Sequence, residues 1–400
     1  MHAPAHPRKH QLPATRTLLT GGIVLLVLVL LVVQISRRTG DSGTTIALNE
    51  PKRVSFVAVG DNLPEGDIGA YADSCDGAVG DDRYDYHAIY EPIKPFIESA
   101  DLSYVDEETM LGGNELGPKG YPSFNTTDEM ADALVDTGFD LISTAGNHTY
   151  DWGLYGSIEN SVKVWKTKPV VTTGTALSEA EGQGNVIHVV ERNGIRFSFL
   201  AYTYGLNGYE KGALPWYTVS IMDEDRIRSD VRKAKQQSDV VLVAMHWGTE
   251  HTHELDDEQK RFAQLLADLD VDVVMGSHPH IIQSLQWLQG TSGHRTLVAY
   301  SLGNFLSNHA TAKPDSSLEG MLSCDFVKSD NGIEIQNVAW TPLVNHDDGT
   351  RFAVYAVKDY TDELARQNAA FTGDYKVDNP LEWLRSTTRE VIGGEFQLNM

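Results

Sequence analysis

Basic residues are scarce in this 400-residue sequence. It contains 32 lysines and arginines against 56 aspartates and glutamates, a formal net charge of −24. The first forty residues hold five of the basic residues and no acidic one, so residues 41–400 have a net charge of −29. A domain of that charge is repelled by phosphate backbones at long range, which argues against a nucleic-acid-binding protein.

Several catalytic motifs are absent as well. The sequence has no nucleophile elbow, no phosphate-binding P-loop and no Ser-His-Asp order. Hydrophobic residues make up 41% and aromatic residues 9%, which is enough for a sizeable core and excludes disordered and fibrous classes. The sequence is therefore that of a globular protein whose chemistry depends on other residues.

Cysteine occurs twice, as Cys75 and Cys324. In a cytosolic protein these would be two unrelated buried thiols. In an exported domain a single Cys75–Cys324 disulfide becomes possible, although sequence separation says nothing about distance in space. Both alternatives stay open at this point.

One long apolar run lies near the N-terminus. Residues 17–36 contain no charge, and residues 23–33 are apolar without interruption. Twenty helical residues extend about 30 Å, the thickness of a bilayer core. Basic residues precede the run and no small-x-small cleavage site follows it, which favours an uncleaved signal-anchor. Basic residues also follow the run, so the positive-inside rule leaves its orientation open.

The rest of the chain alternates predicted strands with predicted helices. Buried-type strands are predicted at residues 54–59, 139–145, 195–202, 239–245, 271–275 and 296–301, and helices at 223–237 and 255–269. This alternation predicts an α/β layered domain built around sheets.

The sequence predicts five regions. They are a cytoplasmic basic tail at 1–16, a transmembrane signal-anchor at 17–36, a linker at 37–52, the main domain at 53–345 and a C-terminal extension at 346–400.

Most of the predicted strands end at a residue able to bind metal. In α/β sheets the loops at strand ends converge, so these side chains are expected to meet. Carboxylate, amide and imidazole ligands suit Zn, Mn or Fe, and two such ions form a hydrolytic clamp on a phosphoryl or carbonyl centre. The strand-end residues are Asp61, Asn147, His148, His246, His278 and His280.

Six sequence blocks resemble, in order, those of the CapA family of poly-γ-glutamate capsule biosynthesis proteins. They span about residues 54–310. The blocks are Gly-Asp at 60–61, Val-Asp-Glu-Glu-Thr at 105–109, Ala-Gly-Asn-His-Thr-Tyr-Asp-Trp-Gly at 145–153, His-Trp-Gly-Thr-Glu at 246–250, Gly-Ser-His-Pro-His at 276–280 and Ser-Leu-Gly-Asn-Phe at 301–305.

The resemblance implies a metallo-dependent phosphatase-like fold, a layered β-sandwich flanked by helices. It implies a single-pass protein of the cell membrane with most of the chain extracytoplasmic. Such a protein acts on, or helps to assemble, poly-γ-glutamate or a similar anionic polymer, together with other membrane subunits of a polymer synthase.

The resemblance also assigns site residues. His148 is the expected general acid, and one or two divalent Mn, Zn or Fe ions are expected. Four further residues are expected to orient ligands or contact substrate: Asp151, Glu250, Trp247 and Asn304. The expected metal ligands are Asp61, Glu108, Asn147, His246, His278 and His280.

Two blocks depart from the family pattern. Metallophosphatases open with Asp-x-His, whereas Asp61 is followed here by Asn62 and Leu63, so one ligand is missing. The second block usually reads Asn-Leu-Glu, and here two further acids, at positions 106 and 107, precede Glu108. These acids either add ligand character or are solvated.

Three functional hypotheses remain. The first is a metal-dependent hydrolase or transferase acting on the polymer or on a phosphorylated precursor. The second is a non-catalytic scaffold subunit of a polymer synthase complex, favoured by the missing ligand. The third is a metallophosphoesterase with another substrate.

Overall fold

A computed structural model describes residues 51–400 except 76, 185–186, 210–213, 309–312 and 373–374. The predicted cytoplasmic tail, signal-anchor and most of the linker lie outside these residues. None of the helices that are described combines the length and apolarity needed to span a bilayer.

The described chain contains fifteen strands. Their bounds are β1 Lys52–Leu63, β2 Leu102–Glu107, β3 Leu141–Ser143, β4 Val171–Thr173, β5 His188–Arg192, β6 Ile195–Thr203, β7 Val240–His246, β8 Val273–Ser277, β9 Leu285–Gln289, β10 Arg295–Ala299, β11 Asn304–Ser307, β12 Leu318–Ser329, β13 Gly332–Asp347, β14 Phe352–Ala356 and β15 Gln397–Leu398.

These strands form two sheets. The first has the order β14-β13-β12-β1-β2-β3-β4, with β11 also paired to β1 and β15 to β13. The second has the order β5-β6-β7-β8-β10-β9. The pairs β1–β2, β1–β11, β6–β7 and β7–β8 are parallel, so the carboxyl ends of these strands share one edge of each sheet.

Helices connect and flank the strands. Their bounds are α1 Gly66–Cys75, α2 His87–Tyr90, α3 Lys94–Ile97, α4 Glu129–Thr137, α5 Glu159–Trp165, α6 Glu179–Gly184, α7 Glu224–Gln237, α8 Asp257–Asp268, α9 Asp362–Gln367, α10 Ala369–Thr372 and α11 Pro380–Ile392. The two helices predicted from sequence correspond to α7 and α8. Each begins after an aspartate whose side chain accepts a backbone N–H of the first turn.

The main core lies between the two sheets. One cluster of buried residues joins Phe56 and Ala58 of β1 to Phe197 of β6 and Leu242 of β7. The intervening residues of β1, such as Val57, join a different cluster on the outer face of the first sheet, because successive strand residues point to opposite faces. The structure therefore confirms a mixed α/β fold with two packed sheets.

Of the two alternatives for the cysteines, the structure supports separate thiols, because Cys75 and Cys324 are both free. Cys324 belongs to the cluster between the sheets. Cys75 ends α1, whose buried residues Ile68 and Ala72 pack on the outer face of the first sheet. The two cysteines thus belong to opposite faces of one sheet, whereas a disulfide needs Cα atoms within about 7 Å.

Residues 346–400 pack into the same compact unit as the rest of the described chain. They include the end of β13, the edge strands β14 and β15, and three helices. Tyr360, Phe371, Leu384 and Ile392 join the core between the sheets. The last part of the chain is therefore integral to the sandwich.

Candidate metal centre

Parallel pairing brings the predicted strand ends together. Asp61 of β1 pairs with Asp106 of β2 on one side and with Asn304 of β11 on the other. In the second sheet, His246 ends β7 and pairs with Ser277, the last residue of β8. The site therefore forms at the carboxyl edge of both sheets, where loops meet on a rigid base.

Two glycines permit the close backbone approach at this edge. A Cβ atom at Gly60 would lie 1.8 Å from the carbonyl oxygen of Gly303, and one at Gly276 would lie 1.9 Å from the carbonyl oxygen of Tyr300. Only glycine fits such contacts. The glycines of these two sequence blocks are therefore required by packing.

The Gly-Ser-His-Pro-His loop also has an unusual backbone. His278 and His280 adopt φ values of 93° and 59°, in a region that non-glycine residues rarely occupy. Strain of this kind persists only where the surrounding structure fixes it, and it concentrates at functional sites. Here it places the imidazoles of His278 and His280 near Glu108, the residue after β2, and that of His280 beside Asp61 of β1.

Five side chains form one connected group of possible metal ligands. Asp61, Glu108 and His246 each bring a ligand atom within 4.8 Å of the other two, and so do Glu108, His278 and His280. Glu108 belongs to both sets. All five side chains are buried.

Glu108 lies at the middle of this group. Its Oε1 lies 3.7 Å from Nε2 of His246, and its Oε2 lies 3.9 Å from Nδ1 of His280. Within the described part of the chain, neither oxygen has a hydrogen-bond partner. Burial raises the pKa of Glu108 to about 7, and the neighbouring His280 and His246 oppose that rise.

Asp61 is fully buried beside it. Its carboxylate accepts the backbone N–H of His278 at 3.1 Å, and its Oδ2 lies 3.3 Å from Nδ1 of His280. Burial raises the pKa of Asp61, and repulsion from Asp106 adds to the rise, while His280 lowers it. Carboxylates grouped in this way stabilise positive charge beside them, which a protonated imidazole or a bound cation supplies.

His246 is oriented by its neighbours. Its Nδ1 lies 3.0 Å from Asp106 Oδ2 and 3.0 Å from Ser277 Oγ, while Nε2 lies 2.9 Å from Asn147 Oδ1. Burial alone would lower the pKa of His246, but Glu108 and Asp106 outweigh it and the pKa is raised. A carboxylate on one ring nitrogen that directs the other toward a metal is the usual support of histidine ligands.

His278 is held neutral. Burial, with repulsion from His246 and His280, puts the pKa of His278 well below its usual value. Its Nδ1 has no hydrogen-bond partner among the described residues, and its Nε2 lies 4.0 Å from Oε1 of Glu250. A neutral, buried imidazole is the form that binds metal.

The pKa of His280 is shifted in the opposite direction from that of His278. Burial by itself would lower the pKa of His280, but Glu108 and Asp61 raise it to about 10. Its Nδ1 also lies 2.9 Å from Oδ1 of Asn304. The proton stabilised at this position is the kind of positive charge that a divalent cation replaces.

His148 stands beside the ligand group with a carboxylate partner of its own. Its Nδ1 lies 2.8 Å from Oδ2 of Asp151, and that oxygen also accepts the backbone N–H of Phe124 at 2.8 Å. The Phe124 ring packs edge-on against the imidazole with 4.4 Å between centroids. Asp151 therefore holds His148 in place.

The remaining predicted residues have mixed placements. Asn147 lies at the site, and its amide donates to Asn207 at 3.3 Å. Glu250 is half exposed beside His278. Trp247 is fully buried, and its indole N–H donates to the Tyr300 carbonyl at 2.9 Å, which makes it a core residue.

The residues at which the sequence departs from the family pattern are all within the described part of the structure. Leu63 is fully buried and offers no ligand atom. The side chain of Asn62 forms hydrogen bonds with two other residues. Its amide donates to Glu107 at 2.7 Å, and its oxygen accepts from the hydroxyl of Tyr90 at 2.6 Å. Glu107 is fully buried, so it is not solvated, and burial raises its pKa well above the usual range.

Sequence reasoning left the role of Asp106 open and missed two other residues near the centre. Asp106 orients His246. Tyr204 follows β6 and places its ring 4.7 Å from that of His278. Glu65, just beyond β1, has its pKa raised to about 7 by burial, against the pull of His280. No sequence signal distinguished Tyr204 and Glu65 from ordinary loop residues.

Similarity to known proteins supports the motif analysis. The family model of the bacterial capsule synthesis protein PGA_cap matches residues 55–309. The PGA biosynthesis protein CapA of Bacillus subtilis (strain 168) is 26% identical over 249 residues, covering 58% of this chain and 60% of that protein. The capsule biosynthesis protein CapA of Bacillus anthracis is 25% identical over 269 residues, covering 64% and 61%. The chain thus spans about three fifths of the length of these curated relatives.

Solved structures show only distant likeness. A phosphatase from Mycoplasma pneumoniae has a TM-score of 0.44 at 14% identity, covering 74% of this chain and 94% of that one. The calcineurin-like phosphoesterase YfkN from Bacillus subtilis has a TM-score of 0.41 at 12% identity, covering 84% and 99%. Likeness at this level says nothing about activity.

Proposed function

The chain belongs to the bacterial capsule synthesis protein family, as its motifs predicted, and from this we propose that it is a membrane-anchored, extracytoplasmic component of capsule polymer synthesis or export. Its metal-dependent centre would act on the polymer, or on a phosphorylated precursor, as a hydrolase-type site. Both curated relatives carry names in capsule or PGA biosynthesis.

The observation that carries the proposal is the environment of Glu108. This buried carboxylate turns one oxygen toward His246 and the other toward His280, and neither oxygen has a hydrogen-bond partner among the described residues. Burying a carboxylate without partners is costly, so a merely structural role would not maintain it. Glu108 would hold metal together with His246 on one side and His280 on the other, which would satisfy both of its oxygens.

The donor set fits Mn, Zn or Fe. Asp61, Glu108 and Asn147 offer oxygen, and His246, His278 and His280 offer nitrogen, a mixture that suits these ions. When bound, the ions polarise a phosphoryl or carbonyl oxygen and lower the pKa of water.

The protein's own contribution to chemistry is His148. Because the Asp151 carboxylate already accepts the backbone N–H of Phe124, it acts as an acceptor toward Nδ1 of His148 as well. The Nδ1 proton is thereby fixed, and Nε2 remains to hold or release a proton. A general acid in this position contributes about 10²–10⁴-fold to rate.

Charge limits where the polymer binds. Residues 41–400 have a net charge of −29, so the general surface repels poly-γ-glutamate or a similar polyanion. The cation-loaded centre then provides the attraction. Other membrane subunits of a synthase would hold the growing chain nearby.

The test compares His278→Ala with His148→Ala in the full-length protein. We expect His278→Ala to lose metal and His148→Ala to keep it, with capsule polymer yield reduced in both. His87→Ala, which alters an exposed histidine paired with Asp85, is the control and keeps both properties. A scaffold function predicts normal yield from all three variants, which would remove the catalytic proposal.

Topology has a separate test. A reporter fused after residue 50 should be active only when exported, because the apolar run at 17–36 is proposed as an uncleaved signal-anchor. Cytosolic activity of that fusion would refute the extracytoplasmic placement.

A further inference from the structure

We propose that Asn304 is itself a metal ligand, supplying its side-chain oxygen to the ion position beside Asp61. The inference rests on the metal-binding function proposed above and adds a ligand to it. Three oxygens from separate chain segments converge on Nδ1 of His280: Asn304 Oδ1 at 2.9 Å, Asp61 Oδ2 at 3.3 Å and Glu108 Oε2 at 3.9 Å.

Two donor atoms that each lie about 2.0–2.2 Å from an ion are about 2.8–3.8 Å apart at coordination angles of about 90–120°. The distances of Asn304 and Asp61 from His280 lie within this range, and that of Glu108, at 3.9 Å, lies just beyond it. A single ring nitrogen can give its one proton to only one of the three oxygens. A cation at this point would satisfy all four atoms.

The Asn304 amide is fixed so that its oxygen faces the centre. Its Nδ2 donates to Ser307 Oγ at 2.8 Å, which leaves Oδ1 directed at His280. The residue is fully buried and starts β11, where it pairs directly with Asp61. An amide oxygen held in this way is pre-organised as a ligand.

The backbone of Asn304 is also held from the C-terminal part of the chain. Asn345 of β13 donates its side-chain amide to the Asn304 carbonyl at 3.1 Å, and Asn368 donates to the Asn345 carbonyl at 2.7 Å. All three asparagines are buried. The family match ends at residue 309, so the support for this ligand comes from outside the matched region.

Position 63 explains why an extra ligand is useful here. Leu63 is buried at the end of β1 and has no donor atom, so β1 contributes Asp61 alone to the ligand group. Asn304 lies on the strand next to β1 and reaches the same ion position from the other side.

The alternative is that Asn304 only orients His280 by accepting its Nδ1 proton. Outer positioning residues typically change metal affinity by about 10–100-fold. A direct ligand should exceed the upper end of that range and should also alter the coordination spectrum. These two differences separate the roles.

The experiment titrates the full-length protein with Mn²⁺ and with Co²⁺, whose visible absorption reports ligand number and type. Wild type, Asn304→Ala, Asn304→Asp and Asn368→Ala are compared. Asn368→Ala is the matched control, because it removes a buried amide of the same network that touches no proposed ligand.

We expect Asn304→Ala to weaken one ion by more than about 100-fold and to change the Co²⁺ spectrum. Asn304→Asp should keep both ions, since it retains an oxygen donor, and Asn368→Ala should keep the wild-type spectrum. Circular dichroism of the metal-free variants checks that each has folded. If Asn304→Ala does not fold, the Co²⁺ spectrum of Asn304→Asp decides, because exchanging an amide oxygen for a carboxylate oxygen shifts that spectrum directly only where the side chain contacts the ion.

Three results would overturn the inference. Wild-type affinity and spectrum in Asn304→Ala would show that Asn304 is not a ligand while leaving the proposed function intact. A spectrum changed equally in Asn368→Ala would show a structural effect only. A wild-type protein that binds neither ion would refute the proposed metal centre and this ligand together.

Discussion

Replacing Asp106 by Asn should weaken metal binding without unfolding the protein. Asp106 Oδ2 lies 3.0 Å from Nδ1 of His246, so its charge directs Nε2 toward Glu108 and Asn147. Outer carboxylates of this kind contribute about 10–100-fold in affinity, or about 1.4–2.8 kcal/mol. Ser277 Oγ contacts the same nitrogen at 3.0 Å and remains in the variant. We therefore expect a loss nearer 10-fold.

The stability of the metal-free protein should barely change. Asp106 is buried, and one of its oxygens has no hydrogen-bond partner among the described residues. Asp106→Asn relieves the repulsion that Asp106 exerts on Asp61, but it buries an amide nitrogen without an acceptor. These effects oppose each other, so we expect a change below about 1 kcal/mol in the free energy of unfolding.

The assay pairs this variant with Asp151→Asn. Asp151 contacts Nδ1 of His148 at 2.8 Å, almost the same geometry, but His148 is proposed as an acid and not as a ligand. Competition with a fluorescent chelator measures the Mn²⁺ affinity, and urea denaturation in EDTA measures stability. If both variants weaken Mn²⁺ binding equally, or if Asp106→Asn does not weaken it, the assignment of His246 as a ligand and His148 as an acid is refuted.

Three further predictions concern the fold. Leu242→Ala, in the core between the sheets, should cost about 2–5 kcal/mol in urea denaturation. Gly276→Ala should cost at least about 1–3 kcal/mol by the same measurement, because its Cβ would lie 1.9 Å from the Tyr300 carbonyl oxygen. Burial by itself would raise the pKa of Asp239. Hydrogen bonds from Arg196 and Lys328 outweigh burial, so the pKa falls from 3.8 to about 2. Asp239→Asn should therefore reduce stability at neutral pH, with a deficit that narrows as the pH falls from about 4 toward 2.

The strand-end rule accounts for most of what sequence predicted about the site. A buried apolar run followed by Asp61, His246 or His278 marks both a strand and its carboxyl end. Parallel pairing then makes convergence of these ends a geometric consequence. The connected group of five buried side chains, four of them strand-end residues, shows that convergence among the described residues.

Contacts between segments that are distant in the chain could not be predicted from the sequence. The 2.9 Å contact of Asn304 with His280 depends on the register of β11 against β1, which no local pattern encodes. The question of the disulfide stayed open for the same reason, since the faces of the sheet on which two cysteines lie, and not their separation in the sequence, decide whether they are close. The sequence likewise predicted only a C-terminal extension at 346–400. It did not predict β14 and β15, because their positions depend on pairing with β13.

The buried acids at the ends of β1 and β2 link the proposed metal centre to the stability of the fold. Asp61, Asp106, Glu107 and Glu108 are all nearly inaccessible to solvent, and burial raises the pKa of three of them. Grouped carboxylates destabilise a metal-free protein, and the apolar core between two full sheets has to offset that cost. A cation that binds the folded protein but not the unfolded chain stabilises the folded state. We therefore expect the stability of the fold to depend on metal if the proposed centre binds it.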